Sequence, residues 1–446
     1  MAANTPYTYN SLVIYEVYVR NHTPEGTFKA FDADLDRIQA LGVDVIWFMP
    51  IHPIGKINKK GGLGCPYSIS DYRAVNPEYG SLEDFKHTIQ AIHARGMKVM
   101  IDVVYNHTAH DSLLVRDYPH FFHQDASGRP VTTVPNWSDV IDLLHPEPEL
   151  SQYLIDSLKF WVSLGVDGFR CDVASLVPVE FWTEARRQVA ELNPNVIWLA
   201  ESVHAAFIEF RRKAGLSGYS DSELYQAFDL TYDYDIWPIL HKAIAGSVPP
   251  ARLLEMHRFQ EAIYPGTYVK MHCTENHDQP RVMSVAPSRD AALAWTAFEA
   301  FNKGAFLIYA GQESEAAHTP TLFDRDLVDW GSYPLTGFFT NLFKVKHHPL
   351  VLEGVFNILQ AEPVILAAYA AESASLLGIF NPSSHGAEAA LPLKDGDYPD
   401  LLNGGTISVR SGKARLTAPA MILELPQSLS IEPFRSSLMD EDREYI

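Results

Sequence analysis

Disulfide chemistry is missing from this 446-residue chain: its cysteines, Cys65, Cys171 and Cys273, are odd in number and scattered. They form no disulfide framework and no C-x-x-C metal spacing. No stretch approaches the roughly 18 apolar residues that a membrane-spanning helix needs. The opening MAANTPYTYN lacks the basic and apolar regions of a secretory signal, so a cytoplasmic protein is expected. Positive charge is also scarce, with 35 Lys and Arg against 55 Asp and Glu, a net charge of −20. Such a surface repels phosphate backbones, so no nucleic-acid partner is expected. A neutral polyol would be indifferent to it. Low-complexity tracts are absent, and 47% of residues are apolar, enough for a sizeable core.

What is present is alternation. Apolar runs at 12–19 (LVIYEVYV), 43–49, 98–104, 166–173, 195–201, 268–274 and 305–310 read as parallel strands covered on both faces. Helix-period segments lie between them. One is marked by Ser81 and Asp84 at capping-box spacing, by Phe85, Ile89 and Ile92 on one face, and by Gly96 beyond its end. Repeated strand–helix alternation points to a parallel α/β barrel or a doubly wound sheet. Residues 108–142 are polar, His- and Pro-containing and aperiodic, which is long for a loop and suggests a small inserted lobe. After about residue 348 the pattern changes to short β runs (VILAAYA, SLLGIF) with turn signals (NPSSHG, KDGDYPD, NGG), a separate antiparallel domain.

Four strand ends carry the polar residues. In GFRCDVAS, Arg170 and Asp172 share one face of a strand because side chains alternate. Buried together they form either a structural ion pair or a carboxylate held ionised as a nucleophile. Glu201 ends the run IWLAE against Trp198 and Leu199, an apolar setting that would raise its pKa and suit a proton donor. TENHDQPR places Glu275, His277 and Asp278 at a third strand end. DVVYNH places Asp102, Asn106 and His107 at a fourth. In a parallel barrel such positions converge at one mouth although they are far apart in sequence.

The ordered set DVVYNH, GFRCDVAS, LAES and ENHD resembles the four sequence regions of the alpha-amylase family of glycoside hydrolases. CPYSISDYRAVNPEYGSLEDF and GAFLIYAGQE resemble two further segments of that family, and the resemblance runs from about residue 12 to residue 330. It implies an α/β fold: a (β/α)8 TIM barrel over 1–107 and 143–348, an inserted lobe at 108–142, and a C-terminal antiparallel β-sandwich domain over 349–446. It also implies catalytic roles for Asp172 (nucleophile), Glu201 (general acid/base) and Asp278 (third carboxylate). Tyr67, His107, Arg170 and His277 become substrate-binding residues, Tyr67 by stacking on the sugar ring, and Asp102 becomes structural. Paired carboxylates are what glycoside hydrolysis with retention requires.

The family's frequent calcium site would fall on Asn106 and Asp142, oxygen donors of the right kind. The Lys-His that often follows the second region is replaced here by Ser175 and Leu176. No organic cofactor is implied. The implied substrate is an α-1,4-glucan, a maltooligosaccharide or starch-type chain, and the implied reaction is hydrolysis. Transglycosylation by a 4-α-glucanotransferase uses the same residues, as do cyclomaltodextrinases and α-glucosidases. A non-catalytic binding barrel would have lost the carboxylates, and all three are present.

Overall fold

A computed structural model of the chain describes residues 5–134, 136–383 and 388–429. The apolar runs become strands buried along nearly their whole length. They are β1 (Val13–Val17), β2 (Val45–Phe48), β3 (Lys98–Val103), β6 (Gly168–Cys171), β7 (Ile197–Ala200), β9 (Lys270–His272) and β10 (Ala305–Tyr309). The eighth barrel strand, β8 (Leu230–Tyr232), has only three residues and is flanked by Asp229 and Asp233. That is too short and too polar in context to stand out in the sequence. All eight pair in parallel and close in the order β1-β10-β9-β8-β7-β6-β3-β2.

Helices clad the barrel. On Leu82–His93 the Ser81 side chain accepts from the Asp84 amide at 3.2 Å, and Asp84 accepts from the Ser81 amide at 2.8 Å. This reciprocal pair satisfies two amides that the first turn leaves without helical partners. Gly96, just past the end, has φ +76°, a left-handed conformation that glycine adopts without strain.

Between β3 and the helix Pro148–Ser163 the chain leaves the barrel. Its lobe holds one short antiparallel pair, β4 (His107–Ala109) with β5 (Val140–Asp142), in which His107 faces Asp142. The pairing draws the two ends of the insertion together beside the mouth of the barrel.

Beyond residue 354 two four-stranded antiparallel sheets pack face to face. One contains Val355–Gln360, Ile365–Ala370, Ser375–Phe380 and Ala420–Leu425. The other contains Glu388–Ala390, Gly396–Pro399, Thr406–Arg410 and Lys413–Arg415. Leu366, Leu377, Val409 and Leu423 lie in the core between them. The KDGDYPD segment, which reads as a turn, supplies the edge strand Gly396–Pro399. Proline is tolerated there because an edge position need not donate to a neighbour. The NPSSHG turn lies partly outside the described residues, as does the chain after 429. Among the described residues no helix is long and apolar enough to cross a membrane.

Candidate active site

The strand order decides which side chains meet. Arg170 points into the barrel from β6, fully buried, and its Nη1 lies 2.9 Å from Asp102 Oδ1 on the neighbouring β3. The same nitrogen lies 3.0 Å from Asp172 Oδ1, and Nη2 lies 2.9 Å from Glu201 Oε2. One guanidinium thus serves three carboxylates. Glu201 also accepts from the backbone amide of Val173 at 2.6 Å. To present that amide, Val173 adopts φ +35°. A β-branched residue rarely takes this conformation, and such strain tends to collect at functional sites.

Across the mouth, His277 Nε2 lies 3.1 Å from Asp278 Oδ2 and 2.7 Å from the Tyr67 hydroxyl. Its Nδ1 meets Glu16 of β1. The Tyr67 ring stacks on His277 with centroids 5.4 Å apart and also donates to Asp102 at 3.0 Å. His107 Nε2 stands 3.9 Å from Asp172 Oδ2, with Trp137 of the lobe against its ring. Tyr67, His107, Asp172, Glu201 and Asp278 share one cavity of about 200 Å³. Arg170 and His277 lie beneath its floor rather than on its surface.

Burial sets the charge states. It pushes Glu201 up to about 7, with Arg170 pulling against it and Asp172 and Asp278 pushing with it. Asp172 rises to about 6, again through burial, opposed by Arg170 and helped by Asp278. Desolvation in the cleft would raise Asp278 too, but its side chain is 40% exposed at the mouth and the His277 imidazolium holds that carboxyl below the usual range. Burial lowers His107 to about 4, leaving it neutral. It works against His277 as well, yet Asp278 and Glu16 keep that ring protonated.

One expectation about cause needs correcting. Trp198 is not the apolar neighbour of Glu201: it sits on the opposite face of β7 and packs on Phe169 and Phe228. Strand alternation dictates this, since Trp198 and Glu201 are three residues apart. Arg170 does pull Asp172 towards its ionised form, against the larger effect of burial.

Sequence reasoning did not single out Glu16, although a carboxylate inside the apolar run VIYEV is a visible anomaly. It also missed Trp137, Lys60, Asp139, Leu322 and Phe323, which line the cavity from loops. Loop positions carry no periodicity by which to find them.

Asn106 and Asp142 do come together, around a smaller cavity of about 110 Å³ at the lobe–barrel junction. Asp142 Oδ2 accepts from the Thr133 amide at 2.7 Å, while its Oδ1 is buried without a hydrogen-bond partner. Arg211, only 5% exposed, borders the same cavity. Its guanidinium donates to Thr133 Oγ1 at 3.3 Å, and Asp142 is the carboxylate whose charge acts on it. The side-chain oxygens around this cavity therefore come from one carboxylate, one amide and the Thr133 hydroxyl, with the Arg211 guanidinium on the same wall. Elsewhere, Asp233, His272 and Glu299 cluster behind the barrel wall, where the His272 ring, with its pKa raised to about 9, lies 2.8 Å from Asp233 and 3.4 Å from Glu299.

Comparison with known proteins follows the same outline. Residues 15–120 and 136–327 match the family described as "Alpha amylase, catalytic domain", and 357–423 match the "Bacterial Alpha amylase C-terminal domain". A crystal structure of an alpha-amylase from Lactobacillus plantarum is 42% identical, with TM-score 0.91, over 94% of this chain and all of that one. A noncanonic maltogenic alpha-amylase, AmyB from Thermotoga neapolitana, is 30% identical with TM-score 0.83, over 94% of this chain and 99% of that one. Alpha-amylase MalA of Haloarcula japonica is 27% identical over 91% of this chain, which spans 60% of that relative's length. With two thirds of its residues matched by the catalytic-domain family, on a barrel of the same architecture, the chain belongs to the alpha-amylase family of glycoside hydrolases.

Proposed function

We propose that the protein is a retaining hydrolase of α-1,4-glucosidic bonds in maltooligosaccharides or starch-type chains, with Asp172 as nucleophile and Glu201 as general acid/base. The observation that carries this reading is the pairing of Asp172 and Glu201, which line a sugar-sized cavity, on a single guanidinium buried beneath it. Retaining enzymes need two carboxyl groups close together and in opposite protonation states. Here Glu201, with the higher pKa, keeps the proton, while Asp172 gives its proton up first.

In the first step Asp172 Oδ attacks the anomeric carbon, and Glu201 protonates the departing glycosidic oxygen. In the second, Glu201 takes a proton from water, which displaces Asp172 and restores the anomeric configuration. Asp278, ionised beside the His277 imidazolium, accepts from ring hydroxyls as positive charge develops. Tyr67 gives the sugar an aromatic face, and neutral His107 offers a hydrogen bond at Asp172. Arg170 steadies both carboxylates and Asp102 anchors Arg170, so neither needs to touch the sugar.

No step here passes through a metal. A hard cation such as calcium wants six to eight oxygen ligands. At Asn106 and Asp142 it would meet a single carboxylate whose charge Arg211 already opposes, so the junction fits the guanidinium rather than calcium.

The direct test is the anomeric form of the first product from maltoheptaose, followed by NMR. Retention is expected, and inversion would sink the assignment of Asp172. Repeating the assay with an added glucose acceptor separates hydrolysis from transfer.

A further inference from the structure

The segment 56–65, between β2 and Tyr67, is tied down on both sides of the cleft. On the lobe side the Lys56 amide donates to Asp111 at 2.9 Å. Lys60 Nζ lies 2.8 Å from Asp139 Oδ1 and donates to the Asn136 carbonyl at 3.2 Å. On the opposite side the Gly62 amide donates to Asp324 at 2.7 Å and the Leu63 amide to the Phe323 carbonyl at 3.0 Å, both in the segment after β10. The buried Arg20 then ties the Gly64 carbonyl at 3.1 Å and the Leu322 carbonyl at 3.1 Å. Gly61 passes so near this segment that a Cβ on it would sit 2.6 Å from the Phe323 Cβ. Hydrogen bonds and an ion pair therefore link the lobe, through this segment, to the loop after β10. Lys60, Cys65, Asp139, Leu322 and Phe323 line the same cavity as the three carboxylates.

The ring of strands fixes which end of the cleft this strap closes. Around the closed barrel β7 stands four strands from β1 in either direction. Glu201 follows β7, while the strap joins the loop after β2 to the loop after β10, the two neighbours of β1. A proton donor stands on the leaving-group side of the scissile bond, so the glycone lies on the far side, beneath the strap. Resting on the α-glucan reading above, we propose that the strap 56–65 blocks the glycone end of the cleft, so that the enzyme attacks α-glucan chains from their non-reducing ends. Lys60 and Asp139 are then specificity-determining residues: their ion pair latches the strap to the lobe. A chain continuing past the glycone would have to pass through that latch.

The test compares maltoheptaose with maltoheptaose whose non-reducing glucose is capped by a 4,6-acetal, with products separated by chromatography. The wild-type enzyme is expected to cleave the free substrate at least about tenfold faster, a modest discrimination for a pocket that rejects added bulk. A short product of one length should appear from the first turnovers. Lys60→Ala, and separately Asp324→Ala at the other tether, should narrow the ratio and release a spread of internal products. Should one variant fail to fold, the other and the wild-type comparison still decide. Equal cleavage of both substrates by the wild type would overturn the strap proposal alone. So would wild-type discrimination that neither folded variant reduces. Failure to cleave either substrate would overturn the α-1,4-glucan reading, and the strap proposal with it.

Discussion

Arg170 is outnumbered at the residue scale: its single positive charge faces Asp102, Asp172 and Glu201, all buried. Burial, which the one guanidinium offsets only in part, raises Asp102 to about 8, Asp172 to about 6 and Glu201 to about 7. For a carboxyl whose folded pKa exceeds its unfolded one, the stability contribution is fully present below the unfolded pKa. It is lost as pH rises through the folded pKa. Removing one carboxylate should therefore relieve strain at alkaline pH. Asp172→Asn and Glu201→Gln are expected to melt no lower than wild type at pH 8, with that advantage shrinking at pH 4, while turnover collapses. Arg170 keeps two carboxylate partners in either variant, so no bare buried charge is created. A loss of about 3–5 kcal/mol with activity retained would instead mark these residues as half of a structural ion pair. The same shifts predict a narrow bell for kcat/KM, rising near pH 6 as Asp172 ionises and falling near pH 7 as Glu201 loses its proton. Both limbs belong to the coupled pair. In Glu201→Gln the alkaline limb should vanish from the residual activity, and its persistence would count against Glu201 as the acid.

Among the elements, the lobe is anchored by a strand pair, by bonds to the segment 56–65 and by a small buried cluster. The strand pair β4–β5 joins it to the barrel end, with the Asn106–Asp142–Thr133–Arg211 cluster beneath. If Arg211 is the resident cation there, thermal unfolding monitored in excess EGTA and in millimolar calcium should coincide. Arg211→Met, which removes the guanidinium's bonds to the Ser217 carbonyl and Thr133 Oγ1 and the charge acting on Asp142, should lower stability by about 1–3 kcal/mol. It should also expose 108–142 to proteolysis before the barrel unfolds. A marked drop in the wild-type melting temperature on chelation would restore calcium to the junction.

For the whole molecule, the question is what joins the barrel to the sandwich. The helix Arg289–Phe301 is buried along almost its entire length because it lies between them. Phe298 and Phe301 meet Phe380 of the sandwich at centroid distances of 5.5 and 5.6 Å, and Phe301 meets Tyr369 at 5.2 Å. Aromatic contacts of this number make the interface part of the common core rather than a hinge. Phe380→Ala is expected to cost about 3–5 kcal/mol and to lower the melting temperature of the catalytic barrel along with that of the sandwich. Two separated calorimetric transitions, with barrel activity untouched, would show that the units unfold independently.

Much of this was legible in the residues themselves. Seven barrel strands are visible as apolar runs because a parallel strand covered on both faces has no polar alternation to hide it. The chemistry is visible because carboxylates and histidines at four strand ends have only one place to converge. Strand alternation alone put Arg170 and Asp172 on one face. Closure of the barrel decided the rest. It brought Asp102 and Glu201 to the same guanidinium, set Glu16 behind His277, and turned Trp198 away from the site it was expected to shape. It also placed an arginine from a distant helix beside Asp142, and tied the strap at 56–65 to loops some 80 and 260 positions further along the chain. Local pattern records which face a side chain takes, because that depends on neighbours in sequence. It does not record which strands and loops become neighbours, because those contacts form only when the ring closes.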